Sequence, residues 1–220
     1  MTTTTLTTFE TAAKRASREY NIAALAGSDF LTRRNKLTRD WLELAADGAP
    51  TYNLLASRLG PARFIGVDKA PRVIKSLQAE NRPNALFQAG LLHDVIALQP
   101  RLVANVGMLN FDSTRGWLGD KIVDEVHALI PFVLQQYERC GEFLFIVNAA
   151  ENRVSAAEAE ATRLRAFAPL LAQMGRDFFR EDEVYRYNML GRQATKGASQ
   201  GMVNVRLCIG FRPEPAEIAA

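Results

Sequence analysis

Residues 63–71 read Arg-Phe-Ile-Gly-Val-Asp-Lys-Ala-Pro, a short apolar run that ends on a carboxylate and then meets a proline. The run 63–67 is too short for a helix and has no polar face. It reads as a strand covered on both sides, as the strands of a parallel sheet are. Pro71 belongs in the first turn of a helix, where a missing N–H costs nothing. Val73, Ile74 and Leu77 keep a helical period from there until Pro83 stops the chain.

The same alternation continues downstream. Residues 85–88, 103–109, 142–148 and 203–211 are short β-branched or aromatic runs, mostly apolar, and read as further strands. Between them, 120–141 carries Ile122, Val123, Val126, Leu129, Ile130, Val133, Leu134 and Tyr137 at helical spacing, with Pro131 expected to kink or divide the element. Ser155 and Glu158 form a capping box ahead of a helix with Ala161, Leu164, Phe167, Leu170, Leu171 and Met174 on its apolar stripe. Residues 185–187 and 202–211 flank a glycine-bearing loop and predict an antiparallel hairpin. The expected fold class is α/β: a doubly wound, mostly parallel sheet with a C-terminal antiparallel hairpin and an N-terminal helical extension. Apolar residues between Phe9 and Leu44 step by three or four and break near Gly27 and Ser28, which predicts two amphipathic helices before the sheet. The expected division is a flexible Thr-rich tail and helical extension over 1–40 and a Rossmann-like domain over 41–213.

With 220 residues, 48% hydrophobic and 23% charged, the composition is that of an ordinary globular chain and excludes fibrous and fully disordered classes. No apolar run reaches the roughly 18 residues of a membrane span, so no membrane partner is expected. Two cysteines and two histidines, unclustered, argue against a disulfide framework or a zinc site and for a cytoplasmic protein with no metal. The net charge of +3 is uneven: residues 184–212 hold Arg186, Arg192, Lys196, Arg206 and Arg212 and no acid. That stretch reads as a phosphate-contacting surface or as an edge hairpin guarded against aggregation by its charge.

In an open α/β sheet, ligands sit beyond the carboxyl ends of the strands. That places Asp68 and its neighbour Lys69 at the candidate site. Asp68 can accept hydrogen bonds from both ribose hydroxyls of an adenine-containing cofactor, or it can simply cap the helix that begins at Pro71. Some 20 residues earlier a glycine-rich turn should stand. Instead, 41–46 reads as a short strand or a helix end, followed by Asp47, Gly48, Ala49 and Pro50 and a helix over 51–59. Gly48 is either a shortened cofactor loop or an ordinary turn. Gly90 and Leu91, after the 85–88 strand, leave room for an adenine ring, while His93 reads as a surface histidine. After 103–109 come Asn110, Phe111, Asp112, Ser113, Thr114 and Arg115. An Asn or Asp oxygen there can orient an acceptor amine and Phe111 can stack on a base, or Asp112 and Ser113 can start a turn.

The order of elements, the acid closing RFIGVD, the LFQAG strand, the polar NFDST and the terminal hairpin together resemble a class I S-adenosylmethionine-dependent methyltransferase of Rossmann-like fold. More narrowly, the chain looks like phage- or mobile-element-encoded methyltransferase-like proteins with a degenerate glycine-rich loop. The resemblance implies S-adenosylmethionine as cofactor and methyl transfer to a nucleic-acid acceptor. It also implies that Asp47, Gly48, Asp68, Lys69, Gly90 and Leu91 hold the cofactor, Gly48 near its methionine part. Asn110 and Asp112 would orient the acceptor, and Phe111, Arg115, Arg186, Arg192 and Lys196 would bind it. The single glycine of the loop, and NFDST in place of the N/D-P-P-Y/F tetrapeptide of amino-methylating enzymes, depart from the family pattern. They leave a second reading, a catalytically inactive binding or assembly module on the same fold.

Overall fold

The computed structural model describes residues 12–28, 31–33, 36–46, 48–59, 63–151, 155–174, 184–188 and 201–211. Helix α1 (Ala12–Ala23) runs into a single 3-10 turn (Ala24–Gly27), and a two-residue hairpin follows, β1 (Thr32–Arg33) and β2 (Lys36–Leu37). Strands and helices then alternate as β3 (Asp40–Leu44), α2 (Pro50–Leu59), β4 (Phe64–Asp68), α3 (Pro71–Ala79), β5 (Ala85–Ala89), α4 (Leu92–Leu98) and β6 (Val106–Gly116). The remainder is α5 (Asp120–Cys140), β7 (Phe143–Ala150), α6 (Ala156–Met174), β8 (Val184–Asn188) and β9 (Gly201–Ile209).

Seven strands form one sheet in the order β5-β4-β3-β6-β7-β9-β8. All neighbours from β5 to β7 pair parallel, and β9 pairs antiparallel with both β7 and β8, so the expected terminal hairpin closes the sheet. The strand order reverses between β3 and β6, and that reversal is the point at which open sheets bind ligands. Apolar clusters cover both faces: Leu42, Ile65, Val67, Leu109 and Phe145 pack toward α4, α5 and α6, while Trp41, Phe64, Met108 and Ile146 face α1, α2 and α3. No helix among the described residues is long and apolar enough to cross a membrane.

Three expectations are corrected. Among the described residues no second N-terminal α-helix forms; β1, β2 and β3 take its place. Trp41 and Leu42 are 1% and 0% exposed, so β3 is covered on both faces, and consecutive buried residues imitate helical spacing in this stretch. Gly107 admits this layer, since a Cβ there would stand 2.7 Å from both Arg39 Cβ and Leu31 Cδ2. The strand expected to end at Leu109 continues to Gly116, carrying Asn110–Arg115 inside it, and its pairing with β7 slips between Asp112 and Gly116. Finally, Pro131 does not divide α5, which runs from Asp120 to Cys140 as one helix. The proline forfeits one backbone bond, to the His127 carbonyl, while Ile122, Val126, Leu129, Ile130 and Val133 keep the inner face buried on both sides of it. Gly141 then ends α5 in the left-handed conformation (φ 75°), its N–H donating to the Tyr137 carbonyl at 2.7 Å.

The capping box forms as expected. The Ser155 N–H and hydroxyl reach one Glu158 carboxylate oxygen at 2.9 and 2.8 Å, and the Glu158 N–H returns to the Ser155 hydroxyl at 3.3 Å. The donated bonds hold the Glu158 carboxyl below its usual range.

Candidate functional site

The carboxyl ends of β3, β4 and β6, the loop after β5 and one side of α5 enclose a cleft of about 620 Å³. That volume lies within the roughly 300–1,000 Å³ of small-molecule sites. Strand β4 delivers Asp68 and Lys69 to one wall, and the turn after β5 delivers Gly90 and Leu91. Asp68 uses Oδ1 to accept from the Ala70 N–H at 2.6 Å, which closes the turn into α3; the carboxylate is half-buried and faces the cleft. Gly90 has φ +150°, and its N–H bonds the Asp68 carbonyl at 3.0 Å, locking the β4 and β5 ends together.

Strand β6 supplies the opposite wall. Because side chains alternate along a strand, Phe111 and Asp112 come from opposite faces, and both line the cleft where it wraps over the sheet edge. Asp112 is open to solvent here, yet the protein around it raises its pKa by desolvation, with Lys14 and Arg18 of α1 opposing. Ser113 is buried and donates to Glu125 of α5 at 2.7 Å, while Arg115 closes the triangle from its N–H to Ser113 Oγ at 3.0 Å and from Nε to Glu125 at 3.4 Å. Asp124, Glu125 and Leu44 also line the cleft. None of the three stood out in the sequence; two carboxylates in the opening turns of a helix read as ordinary N-terminal charge.

The structure thus gathers Asp68, Lys69, Gly90, Leu91, Phe111, Asp112 and Arg115 around one cleft. Asn110 is turned away from it. Its Nδ2 donates to Glu43 at 3.0 Å and its Oδ1 accepts from Asn148 at 2.9 Å, so the amide oxygen expected to orient an acceptor is already bonded. These bonds belong to a buried ladder that crosses the sheet under α1. Trp41 Nε1 donates to Glu43 at 2.9 Å, and Asn204 donates to Asn148 at 2.7 Å and to Ser17 at 3.1 Å. Burial raises the Glu43 pKa against the bonds from Asn110 and Trp41 and the charge of Arg18. Arg206 is also buried, donating to the Tyr20 carbonyl at 2.5 Å with its guanidinium carbon 3.7 Å from the Tyr20 ring centre. It does not belong to a surface patch. Arg186 lies on β8, and Asp47, Arg192, Lys196 and Arg212 lie outside the described residues.

The shortened loop after β3 is a tight turn, with the Ala49 N–H bonded to the Ala46 carbonyl at 2.9 Å and Gly48 at φ 76°. Gly48 stands outside the cleft lining. Ala49 also has positive φ, 44°, a region costing an L-residue roughly 1–2 kcal/mol. Ala49→Gly relieves that strain but adds unfolded-state entropy and removes a methyl group that is 1% exposed in the core cluster with Trp41 and Tyr52, so stability in urea denaturation is expected to change by less than about 1 kcal/mol. A loss of about 2 kcal/mol or more would show that Ala49 is not strained.

Comparison with protein-family models and with curated protein sequences finds no match. Solved structures do match. The Methanococcus jannaschii fibrillarin pre-rRNA processing protein superposes with a TM-score of 0.53 at 12% identity, covering 88% of this chain and 76% of that one. The plantazolicin methyltransferase BamL, solved with a triazolic desmethylPZN analog and SAH, gives 0.51 at 12% identity over 91% and 86%. The O-methyltransferase TomG from Streptomyces achromogenes, solved with SAM, gives 0.50 at 16% identity over 91% and 82%. The chain has the Rossmann-like fold of the class I S-adenosylmethionine-dependent methyltransferases.

Proposed function

We propose that this protein binds S-adenosylmethionine in the cleft at the carboxyl edge of its sheet and catalyses transfer of the methyl group to an acceptor. The observation that carries this reading is the position of Asp68, a cleft-facing carboxylate at the tip of the strand beside the switch point, with Gly90 and Leu91 next to it. The residues fit the group: Asp68 suits two ribose hydroxyls, Gly90 and Leu91 suit an adenine, Asp112 is a counter-charge for a cation, and Phe111 on the opposite wall is left to stack on an acceptor base. Lys69 would border the ribose, and Asp47 and Gly48 the methionine part. When bound, the cofactor supplies a methyl group on a positively charged sulfur. The chain's own task is positional, holding an acceptor lone pair in line with that methyl and accepting the proton released. Asp112, a carboxylate on the cleft wall, is the group proposed for both, and Asn110 holds the strand beneath it.

For the acceptor we propose a nucleic acid, contacted by Arg115 at the cleft and by Arg186, Arg192 and Lys196 on the terminal hairpin. With Arg206 engaged under α1, the basic residues of that stretch proposed to contact phosphates are Arg186, Arg192, Lys196 and Arg212. Affinity for duplex DNA is then expected to fall by about 3 to 4 log units per decade of salt. A flat salt response in a filter-binding titration would remove nucleic acid and leave a small-molecule acceptor.

One observation favours a non-catalytic binding module: Gly48 lies outside the cleft. Titration calorimetry with S-adenosylmethionine and S-adenosylhomocysteine separates the readings. Absence of binding to both removes the enzyme.

A further inference from the structure

The loop between β3 and α2 has one glycine where a cofactor loop would use several, and a side chain from 34 residues away engages that glycine's carbonyl. Arg82 Nη2 donates to the Gly48 carbonyl at 3.0 Å, and Asn53 Nδ2 donates to the same oxygen at 2.9 Å. The arginine side chain is only 7% exposed. Its guanidinium carbon lies 5.9 Å from the Tyr52 ring centre and 5.8 Å from that of Phe87, Nη1 reaches the Leu77 carbonyl at 3.3 Å, and Glu80 pairs with it. Tyr52, in the first turn of α2, in turn donates to the Pro83 carbonyl at 2.8 Å, so the loop after α3 is tied both to the β3–α2 loop and to the start of the helix that follows it. At its other end the β3 loop is anchored where the Ala45 N–H bonds the Val67 carbonyl at 2.8 Å, next to Leu44 in the cleft wall.

An arginine buried beside two aromatic rings, with its donors on the Gly48 and Leu77 carbonyls and on Glu80, has given up hydration for those bonds, and charged donors make the stronger hydrogen bonds. The loop it holds includes two successive residues at positive φ, one of them alanine. Strain of this kind persists where surrounding structure over-determines it, and it collects at ligand-binding loops. We propose that Arg82 is a positioning residue for the cofactor: its guanidinium holds the short β3–α2 loop in the shape that accepts the methionine part, a task otherwise met by glycine backbone. This role rests on the cofactor reading above. Arg82 touches the loop and not the ligand, so it leaves the adenosine half, at Asp68, Gly90 and Leu91, unaffected.

Two probes separate the halves of the site. Adenosine occupies only the half at Asp68, and S-adenosylhomocysteine needs the loop as well. Titration calorimetry on the full chain, well below its melting temperature, compares wild type with Arg82→Ala, Arg82→Lys and Asn53→Ala. Arg82→Ala is expected to weaken S-adenosylhomocysteine by about tenfold or more and leave adenosine unchanged. Arg82→Lys keeps the charge beside Glu80 but not the fork, and falls between. Asn53 is exposed, so Asn53→Ala folds whatever the fate of the arginine variants, and it should shift S-adenosylhomocysteine alone, by a smaller factor. Equal losses for both probes in every variant make Arg82 merely structural and overturn the role. Unchanged S-adenosylhomocysteine affinity in all three variants overturns it too, with the cofactor reading intact. Wild type that binds neither probe overturns the cofactor reading itself and this role with it.

Discussion

Asp68→Ala is expected to lower S-adenosylhomocysteine affinity by about 100-fold or more. A carboxylate accepting from two ribose hydroxyls makes two charge-assisted bonds of about 1.5–3 kcal/mol each, and alanine removes both. The same substitution frees the Ala70 N–H, now held by Asp68 Oδ1 at 2.6 Å, so a stability loss of about 1 kcal/mol accompanies it. Asp68→Asn separates the two effects. Its amide oxygen can still close the turn, and stability should recover, while the loss of charge and of one acceptor keeps binding weak. Calorimetric titration alongside thermal melting reads both. Full affinity in Asp68→Ala would assign Asp68 to the turn alone and withdraw the ribose contact. Adenosine should follow S-adenosylhomocysteine in this variant, in contrast to the Arg82 substitutions.

The part of this site that was legible in the sequence is the part built from neighbours along the chain. Phe64–Asp68, Pro71 and the run to Gly90 announce strand, acid and helix locally, and the rule that ligands lie beyond strand ends does the rest. What was not legible depends on contacts across the sheet. Arg82 looks like any loop arginine until the fold brings Tyr52, Phe87 and the Gly48 carbonyl around it. Arg206 looked like part of a basic surface, yet α1 lies over it and Tyr20 stacks on it. Asn110 sits in a polar run that reads as a loop, but β7 pairs with the segment and extends the strand through it. The direction of a strand residue follows from register, and one step along β6 separates Asn110 under α1 from Phe111 in the cleft. Residues 40–44 misled for a related reason: a strand buried on both faces has no alternation to show.

Glu43 makes the largest expected contribution to stability of any single polar side chain in the ladder. Its carboxylate accepts from Trp41 and Asn110 on one oxygen, and the core around it is closed. Glu43→Leu would strand both donors where no water reaches them, at about 1–3 kcal/mol for each, partly offset by removal of a desolvated acid. A net loss of about 2–4 kcal/mol is expected in urea denaturation. Glu43→Gln keeps an acceptor oxygen and the shape, and should cost about 1 kcal/mol or less at neutral pH. The pair also fixes the pH dependence. Burial raises the folded-state pKa of Glu43 above the unfolded value of about 4.3, so the folded protein favours the protonated acid. The stability linked to that proton is fully present below the unfolded pKa and is lost as pH rises through the folded one. Wild type should therefore gain on Glu43→Gln as the buffer is taken from pH 8 toward about 4.5. Asp40 and Asp112, raised in the same direction, remain in both proteins and cancel in the difference. Parallel stability curves for the two proteins would mean that Glu43 stays ionised in the fold and that the ladder carries a buried charge.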